Sequence, residues 1–454
     1  MNETNGNNSL SLKSRRRTEL QKTIQTLPLL LDREVGLIQS VTWYPLRHNE
    51  PQFVHCHATL SDMSRVTGRF CTRGTGSTAL TKDAALAGAI GESVERYCGD
   101  NFNEDEIIFS SYRKIKSEAV DPRRFVLFHP QQYRAENFPF RLIDEDTVLG
   151  WVKGFSLTQN KPMLVPASLV HISYQPPSAE QDFELGPVSG YACGNTAEEA
   201  ILSALLEVVE RDSFMVFWYN YLPVPAFDLR QIYSEDLQQT LDRYHGVPVK
   251  LYCANITTDT GIPAALAAMV SSNPKLPAAV VATAAHLDTE RAMTRAFQEL
   301  SANQLYVRSY FENPAHRLPR VPHEVVNQED HGLFYCSPER LPALDVILRP
   351  RRKIRARDIS LPVSDDVKEN IETCLKRLAD LGLEVIAVDI TSSDVEELGF
   401  KVVKVLIPGL QPIDFGMEFP HIGGKRLYEA PVRMGYRKHI PAPPQLNYYP
   451  HPFP

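Results

Sequence analysis

The chain has 454 residues, of which 43% are hydrophobic and 23% are charged, and its formal net charge is −7. This is the composition of an ordinary globular protein, and the negative balance argues against general recruitment to nucleic acid or to anionic membranes. No apolar run reaches the roughly 18 residues of a membrane helix, and the polar, then basic, N-terminus lacks the apolar core of a signal peptide. We therefore expect a cytoplasmic protein that binds neither nucleic acid nor membrane.

The elements follow one another in a pattern that predicts one large domain. Residues 1–28 are rich in Asn and Ser and then basic, which predicts a flexible N-terminal arm that leads into a first helix. Residues 278–283 predict a buried strand, and a helix through Glu299 follows it. Residues 367–381 predict a helix capped by Ser364 and ended by Gly382, and strands are predicted over 384–390 and 401–408. We assign residues 29–440 to an α/β (α+β) domain with mixed sheets and residues 441–454 to a proline-rich tail.

Two segments, residues 88–97 and 203–212, are alike: each ends an apolar helical run with the pattern ExxER. The first pattern supplies Glu92, Glu95 and Arg96, and the second supplies Glu207, Glu210 and Arg211. Residues three and four apart share a face of a helix. Each helix is therefore predicted to have one acidic face beside its apolar stripe.

If the two helices pack side by side, their four glutamates converge, and such a cluster needs cations to stay ionised. Hard oxygen ligands of this kind suit Mg²⁺, which in proteins often accompanies the phosphates of a nucleotide. A single ExxER is usually a solvated face with Glu–Arg pairs inside one helix. The recurrence of the pattern favours the metal-binding interpretation.

Glycine-containing segments precede both acidic helices, RGTGST at 73–78 and SGYACGNT at 189–196. At a helix N-terminus such glycines let backbone N–H groups approach phosphate oxygens. The chain has no Walker loop and no kinase motif set, so a nucleotide would have to be held in another way. A third segment, residues 285–299, adds Arg295 and Glu299, although Glu299 by itself is equally consistent with a surface position.

Taken together, the paired helices, the GNTAEEA segment at 194–200, the HLD…RAFQE segment and the PHPFP ending at 450–454 resemble the YcaO-domain proteins. More narrowly, they resemble the azoline-forming cyclodehydratases of ribosomal peptide natural-product pathways. The resemblance runs from about residue 30 to the C-terminus. It implies the YcaO-like fold, with packed helices that carry the paired ExxER motifs, and it implies binding of ATP and Mg²⁺.

The resemblance also assigns roles to residues of this chain. It implies that Mg²⁺ is bound by four glutamates: Glu92, Glu95, Glu207 and Glu210. It implies that the nucleotide is contacted by Arg73, Gly74, Gly76, Ser77, Arg96, Asn195, Ser203, Arg211 and Glu299. It implies a catalytic role for Arg211 and for the tail residues Pro450, His451, Pro452 and Pro454, because prolines keep an extended segment stiff enough to reach an active site. The catalytic base is not identified, and His286 and His451 are both eligible.

Three positions depart from the family's pattern. Thr75 stands between two glycines where many members have lysine, so a phosphate contact is replaced or missing. Gly88 stands where a serine is common, and Ala302 stands where a glutamine is usual. These departures bear on the nucleotide contacts rather than on the metal-binding glutamates.

The function that the resemblance implies is the ATP-dependent conversion of Cys, and of Ser or Thr, in a ribosomal precursor peptide to thiazoline or oxazoline. In such enzymes ATP phosphorylates the oxygen of the backbone amide. We expect a separate leader-binding partner of the ThiF-like or winged-helix type, a flavin-dependent azoline dehydrogenase in the same complex, and a homodimer. The alternatives are a YcaO enzyme that forms a thioamide or an amidine, and a non-catalytic scaffold of a peptide-modification complex.

Overall fold

The computed structural model of the protein describes residues 12–64, 72–125, 128–178, 183 and 189–454. The strands described are β1 (Ile38–Trp43), β2 (Val54–Leu60), β3 (Gly74–Ala79), β4 (Ile108–Ser111), β5 (Val148–Ser156), β6 (Lys161–Pro166), β7 (Tyr191–Gly194), β8 (Ala226–Phe227), β9 (Val249–Asn255), β10 (Ala264–Ser271), β11 (Ala279–Ala285), β12 (Lys353–Ile354), β13 (Ile386–Asp389) and β14 (Lys401–Leu406). The α-helices described are α1 (Leu20–Ile24), α2 (Leu27–Leu30), α3 (Lys82–Asp100), α4 (Tyr112–Ile115), α5 (Ala197–Asn220), α6 (Glu235–Asp242), α7 (Thr289–Phe311), α8 (Gln328–Phe334), α9 (Asp345–Leu348), α10 (Val367–Asp380), α11 (Ser393–Glu397) and α12 (Lys425–Arg433). The predicted α/β class with several sheets is confirmed.

A six-stranded antiparallel sheet has the order β4-β5-β13-β14-β7, with β6 paired to β5. Side chains alternate across a strand, and β14 shows this clearly. Val402 and Leu406 join the apolar cluster that contains α3, whereas Val403 and Val405 join the cluster that contains the first half of α5 together with α10. The two acidic helices therefore lie on opposite faces of this sheet, and both contact its edge strand β7.

A five-stranded sheet has the order β11-β10-β9-β8-β12 and is antiparallel except for the pair β8 and β12. Helix α7 packs on one face through Phe297 and Leu300. The second half of α5 packs on the other face through Phe214 and Trp218. Helix α5 thus spans two sheets, and its ExxER segment lies where one apolar cluster gives way to the other.

A third sheet, with the order β1-β2-β3, is antiparallel and contacts α3. Its strand β3 corrects one expectation. Residues 73–78 were expected to be a glycine-containing loop that leads into a helix N-terminus, but Gly74–Ala79 pairs along β2 from Val54 to Thr59. The segment before α5 is likewise extended, as strand β7.

Threonines, not glycines, begin the two acidic helices. Thr81 accepts a hydrogen bond from the N–H of Ala84 at 3.3 Å, and Thr196 accepts one from the N–H of Glu199 at 3.2 Å. These side chains satisfy N–H groups that have no partner within the first turn of a helix. The cap of α10 also differs from the prediction, because Asp366 rather than Ser364 accepts the first-turn N–H, from Lys368.

Both ends of the described chain contact the body of the protein. Of the expected N-terminal arm, residues 1–11 lie outside the described residues. Lys13 donates its backbone N–H to Glu198 at 2.7 Å, and Thr18 donates its backbone N–H to Glu199. At the other end, residues 450–454 are all buried. Within the described ranges, the structure has no helix long and apolar enough to cross a membrane.

Candidate active site

The glutamates of each ExxER segment face the arginine of the same segment. On α3, Arg96 lies 3.9 Å from Glu92 and 3.8 Å from Glu95. On α5, Arg211 lies 3.6 Å from Glu207 and 2.6 Å from Glu210. The predicted spacing along each helix is thus realised as one charged face per helix.

The structure brings the two charged faces together, together with Glu299 of α7. Burial is the main cause of the raised pKa of Glu92, and it raises the pKa of Glu95 to about 8. The negative charge of Glu207 raises both pKa values further. Burial also raises the pKa of Glu299 to about 7, and repulsion from Glu92 is the next largest cause. Carboxylates shift one another in this way only when they lie close together. Five carboxylates therefore share one site.

Neighbouring strands fix these side chains. The N–H of Gly76 on β3 donates to Glu92 at 3.3 Å, and the N–H of Gly190, next to β7, donates to Glu207 at 3.3 Å. The hydroxyl of Thr283 on β11 donates to Glu210 at 2.6 Å. Each of the three sheets thus supplies one donor to the site.

Sequence analysis missed Lys404, which lies on β14 and is buried. Its amino group lies 4.1 Å from the centre of the Tyr191 ring and donates to the carbonyl of Ser189. Its charge acts on Glu95 and Glu207 and lowers their pKa values, against the larger effect of burial. The available signal was the position of a lysine between Val402 and Leu406 on one face of an alternating strand.

A cationic group adjoins the carboxylates. Burial lowers the pKa of Arg295 on α7 to about 10, and the positive charges of Arg17 and Arg291 lower it further, whereas Glu210 opposes the shift. Burial, followed by the charges of Arg295, Arg291 and Arg17, lowers the pKa of His286 to about 3. His286 is therefore neutral near pH 7, and its Nδ1 accepts the N–H of Asp288 at 3.0 Å.

The C-terminal tail reaches the same place. The guanidinium carbon of Arg211 lies 4.4 Å from the centre of the Phe453 ring, and the ring centre of Phe214 lies 5.7 Å from that of Phe453. His451 is buried next to Phe214, with ring centres 5.5 Å apart. The tail therefore packs against the ExxER segment of α5.

Several residues expected at the nucleotide lie further out or face elsewhere. Arg73 is exposed and pairs with Asp62. Asn195 donates through its side chain to Thr23 of α1 at 2.8 Å. Ser77 faces α3 at Gly88. Ser203 lies one turn before Glu207 on α5, and Gly74 is exposed at the start of β3.

Comparison with known proteins decides the family. A family model described as a YcaO cyclodehydratase that binds ATP and Mg²⁺ matches residues 76–411. The chain belongs to the YcaO family. The predicted family membership is confirmed. The five carboxylates and Lys404 lie within the matched residues, and the tail lies beyond them.

Relatives and solved structures agree with this assignment. An uncharacterized protein of Methanothermobacter thermautotrophicus is 28% identical over 339 residues, which cover 73% of this chain and 80% of that protein. A heterocyclase solved in complex with substrate and cofactor is 25% identical with a TM-score of 0.82 over 98% of this chain. The heterocyclase TruD is also 25% identical, with a TM-score of 0.72 over 98% of this chain. This chain spans 59% of the first heterocyclase and 55% of TruD.

Two departures from the YcaO pattern have a structural reason. Thr75 points into α3, where its hydroxyl lies 2.8 Å from that of Ser93, so the side chain between the two glycines is buried against this helix. Gly88 lies directly under Ser77, because a Cβ atom at residue 88 would come within 2.1 Å of the Ser77 hydroxyl. Ala302 lies on α7, three residues beyond Glu299, and is half-buried.

The chemistry of the donor set fits Mg²⁺ and phosphate. Oxygen ligands are those that Mg²⁺ takes in proteins. Burial, opposed by the nearby arginines, raises the pKa values of Glu92, Glu95 and Glu207, and a bound cation would favour their ionised forms. In the structure, these carboxylates face the arginines of their own ExxER segments. Among the described residues, no group of three His, Cys, Asp or Glu side chains is already arranged to hold a metal ion.

Proposed function

We propose that the chain is an ATP- and Mg²⁺-dependent cyclodehydratase that converts Cys, and Ser or Thr, of a ribosomal precursor peptide to thiazoline or oxazoline. The observation that carries this proposal is the buried PHPFP tail, whose Phe453 packs on Arg211 at the edge of the carboxylate cluster. Membership of the YcaO family and the likeness to two heterocyclases support it. The tail favours azoline formation over the family's other reactions.

In this proposal, Glu92, Glu95, Glu207 and Glu210 hold Mg²⁺, and Arg96, Arg211 and Glu299 face the nucleotide. Bound ATP would supply the phosphoryl group that makes the amide oxygen a leaving group, and Mg²⁺ would offset the charge of the phosphates. The protein's share is to position the reacting groups and to stabilise the charge that develops between them. Arg211 lies nearest both to the carboxylates and to the tail.

The ring forms when the side-chain sulfur or oxygen of the substrate bonds to the preceding carbonyl carbon. The thiol or hydroxyl gives up its proton as this bond forms. The carbonyl oxygen then leaves as phosphate, with the phosphoryl group that ATP would supply, and the amide nitrogen gives up its proton as the C=N bond forms, so the peptide loses the elements of one water per ring. Burial of the tail against α5 keeps solvent away from this place, which strengthens the interaction of Arg211 with negative charge. His451 is an unsuitable base at neutral pH, because burial holds its pKa well below the ordinary value.

The proposal includes partners. A ThiF-like or winged-helix protein would bind the leader of the precursor peptide, a flavin-dependent dehydrogenase would oxidise the azoline, and the chain would act as a homodimer. We expect ring formation by the chain alone to be slow and to accelerate when the partner is added.

Mass spectrometry of a Cys-containing precursor peptide tests the proposal. The peptide is incubated with the chain, the leader-binding partner, ATP and Mg²⁺, and a parallel sample has its cysteines alkylated beforehand. We expect the loss of one water per cysteine in the first sample, none in the alkylated sample, and none without ATP. Replacement of oxygen by sulfur would indicate a thioamide-forming enzyme. In a peptide whose core contains neither Ser nor Thr, loss of water that persists after alkylation would indicate an amidine. Absence of ATP turnover under all conditions would favour the scaffold.

A further inference from the structure

Helix α8 lies against the C-terminal tail along its whole length. His331 is fully buried, and its Nδ1–H donates to the carbonyl of His451 at 2.9 Å. One turn later, the hydroxyl of Tyr335 donates to the carbonyl of Pro450 at 2.6 Å. The prolines of the tail have no N–H group to donate. These two carbonyls of the tail instead accept hydrogen bonds from side chains four residues apart, those of His331 and Tyr335.

The imidazole of His331 is held from both sides. Its Nε2 accepts the N–H of Gly416 at 2.9 Å, so the proton of the neutral ring lies on Nδ1 and points at the tail. The rings of His331 and His451 are stacked, with centres 3.7 Å apart and planes 13° apart. His451 in turn donates from Nε2 to the carbonyl of Asp414 at 2.5 Å. The segment 414–416 and α8 therefore contact the same tail residue, His451.

The next residue of α8 makes room for the end of the tail. A Cβ atom on Gly332 would lie 3.0 Å from the Cβ of Pro454 and 2.7 Å from a methyl group of Val307 on α7. This glycine sits inside a helix with an ordinary helical backbone, where alanine would be the more favourable residue. Its use here is explained by the close approach of Pro454.

We propose that His331 and Gly332 of α8, Tyr335 directly after this helix, and the segment 414–416 form a seat that fixes the C-terminal tail in the one register that lays Phe453 on Arg211. These are positioning residues, and the inference rests on the proposed function for its effect on catalysis. Proline at three of the last five residues stiffens the tail, so a displacement at Pro454 or His451 is carried to Phe453. The seat therefore sets the distance between the tail and the ExxER segment of α5.

Two sets of variants test the seat. His331→Phe keeps a flat ring of similar size and removes both hydrogen bonds, and His171→Phe is its matched control, because His171 is a buried imidazole stacked on Phe102 at 4.2 Å in a different apolar cluster. Gly332→Ala is made together with Val307→Ala, so that the new methyl group meets only Pro454, and Val307→Ala alone is the control. Folding of each full-length variant is checked by circular dichroism.

Two readouts are taken. Hydrogen exchange measured by mass spectrometry reports the protection of residues 446–454, and the rate of ring formation is compared with the KM for ATP. We expect faster exchange confined to the tail, and ring formation slower by on the order of 10²-fold, as misplacement of reacting groups by about 1 Å can cause. The KM for ATP should stay within about twofold, since the carboxylates are untouched, and both controls should match the wild type.

Unchanged exchange of the tail in both sets of variants, or ring formation at the wild-type rate with a loosened tail, would overturn the seat. If the wild-type chain forms no ring at all, the proposed function fails, and tail exchange alone then decides whether the seat exists. If His331→Phe does not fold, the Gly332→Ala/Val307→Ala pair gives the decision, because it removes no hydrogen bond and adds no apolar volume overall.

Discussion

Glu95 lies on α3 beside Arg96, and the pKa of its carboxyl is strongly raised. Burial, opposed by Arg96 and assisted by Glu207, raises the pKa from 4.5 to about 8. Near neutral pH the metal-free protein therefore holds a proton on this group that the unfolded chain has already released. Metal binding would expel that proton, since Mg²⁺ needs the ionised carboxylate.

A pH dependence of stability follows from this shift. Between the unfolded pKa near 4.5 and the folded pKa near 8, the folded state binds more protons, so the free energy of unfolding should fall as pH rises through this window. Denaturation by urea at pH 5, 6, 7 and 8 in EDTA measures the fall, which we expect to exceed about 1 kcal/mol. Glu95→Gln should flatten the slope, and added Mg²⁺ should restore stability most at pH 8. An equal slope in the variant would contradict the prediction.

Loss of charge in the cluster should remove ATP turnover. Glu95→Gln and Glu210→Gln each take away one of the carboxylates proposed to hold Mg²⁺, and we expect turnover lower by roughly 10²–10³-fold. A coupled assay of phosphate release at saturating Mg²⁺ measures this. Glu235→Gln, on the exposed face of α6, is the matched control and should have no effect. Normal turnover in both cluster variants, with the fold intact, would show that the metal-site assignment is wrong.

At the scale of elements, Gly88 shows how α3 is fitted to β3. A serine or alanine at residue 88 would meet Ser77 at 2.1 Å, whereas a Cβ atom on Gly91, one turn later, meets nothing within 4 Å. We expect Gly88→Ala to destabilise the protein by about 1–3 kcal/mol through overpacking. Gly91→Ala, by contrast, should stabilise it by roughly 0.5–1 kcal/mol through helix propensity.

Urea denaturation of the two single variants and of Gly88→Ala combined with Ser77→Gly checks this. The second substitution removes the hydroxyl and the Cβ that cause the clash, so the double variant should regain most of the lost stability. If Gly88→Ala and Gly91→Ala behave alike, β3 does not press on α3 as described.

The same elements show how far sequence reasoning reached. The acidic helices were predictable because apolar spacing, charge spacing and the end of each run all agree within about ten residues, and the strands at 384–390 and 401–408 alternate clearly. The role of β3 was not predictable, because glycines beside a helix favour a loop locally and only pairing with β2 makes RGTGST a strand. Lys404 and Thr283 were missed for a similar reason: each acts on glutamates that are distant in sequence. The metal and nucleotide roles of the site residues remain predictions.

At the scale of the whole molecule, the tail is part of the core as well as part of the site. Phe453 belongs to the apolar cluster of the five-stranded sheet and is 5% exposed. Deletion of residues 450–454 should therefore lower the free energy of unfolding by about 2–4 kcal/mol and should also abolish ring formation. A stable, fully active deletion variant would show that the tail contributes to neither.

Phe453→Leu separates the two effects of that deletion. Leucine keeps most of the buried apolar volume and removes the aromatic face on which Arg211 lies. We expect a loss of stability below about 1.5 kcal/mol with a clear fall in ring formation. Differential scanning calorimetry and mass spectrometry of the peptide give the two measurements.

Helix α5 belongs to two apolar clusters, one on each large sheet, and carries two of the five carboxylates of the site between them. The site is therefore complete only when both large sheets have packed against α5, and neither sheet with its own helices contains the whole site. If the site binds ATP as proposed, a nascent or partly unfolded chain in which both sheets have not packed against α5 would lack the complete site and would not hydrolyse ATP. For an enzyme that would consume ATP, this makes structural integrity itself a safeguard against futile hydrolysis.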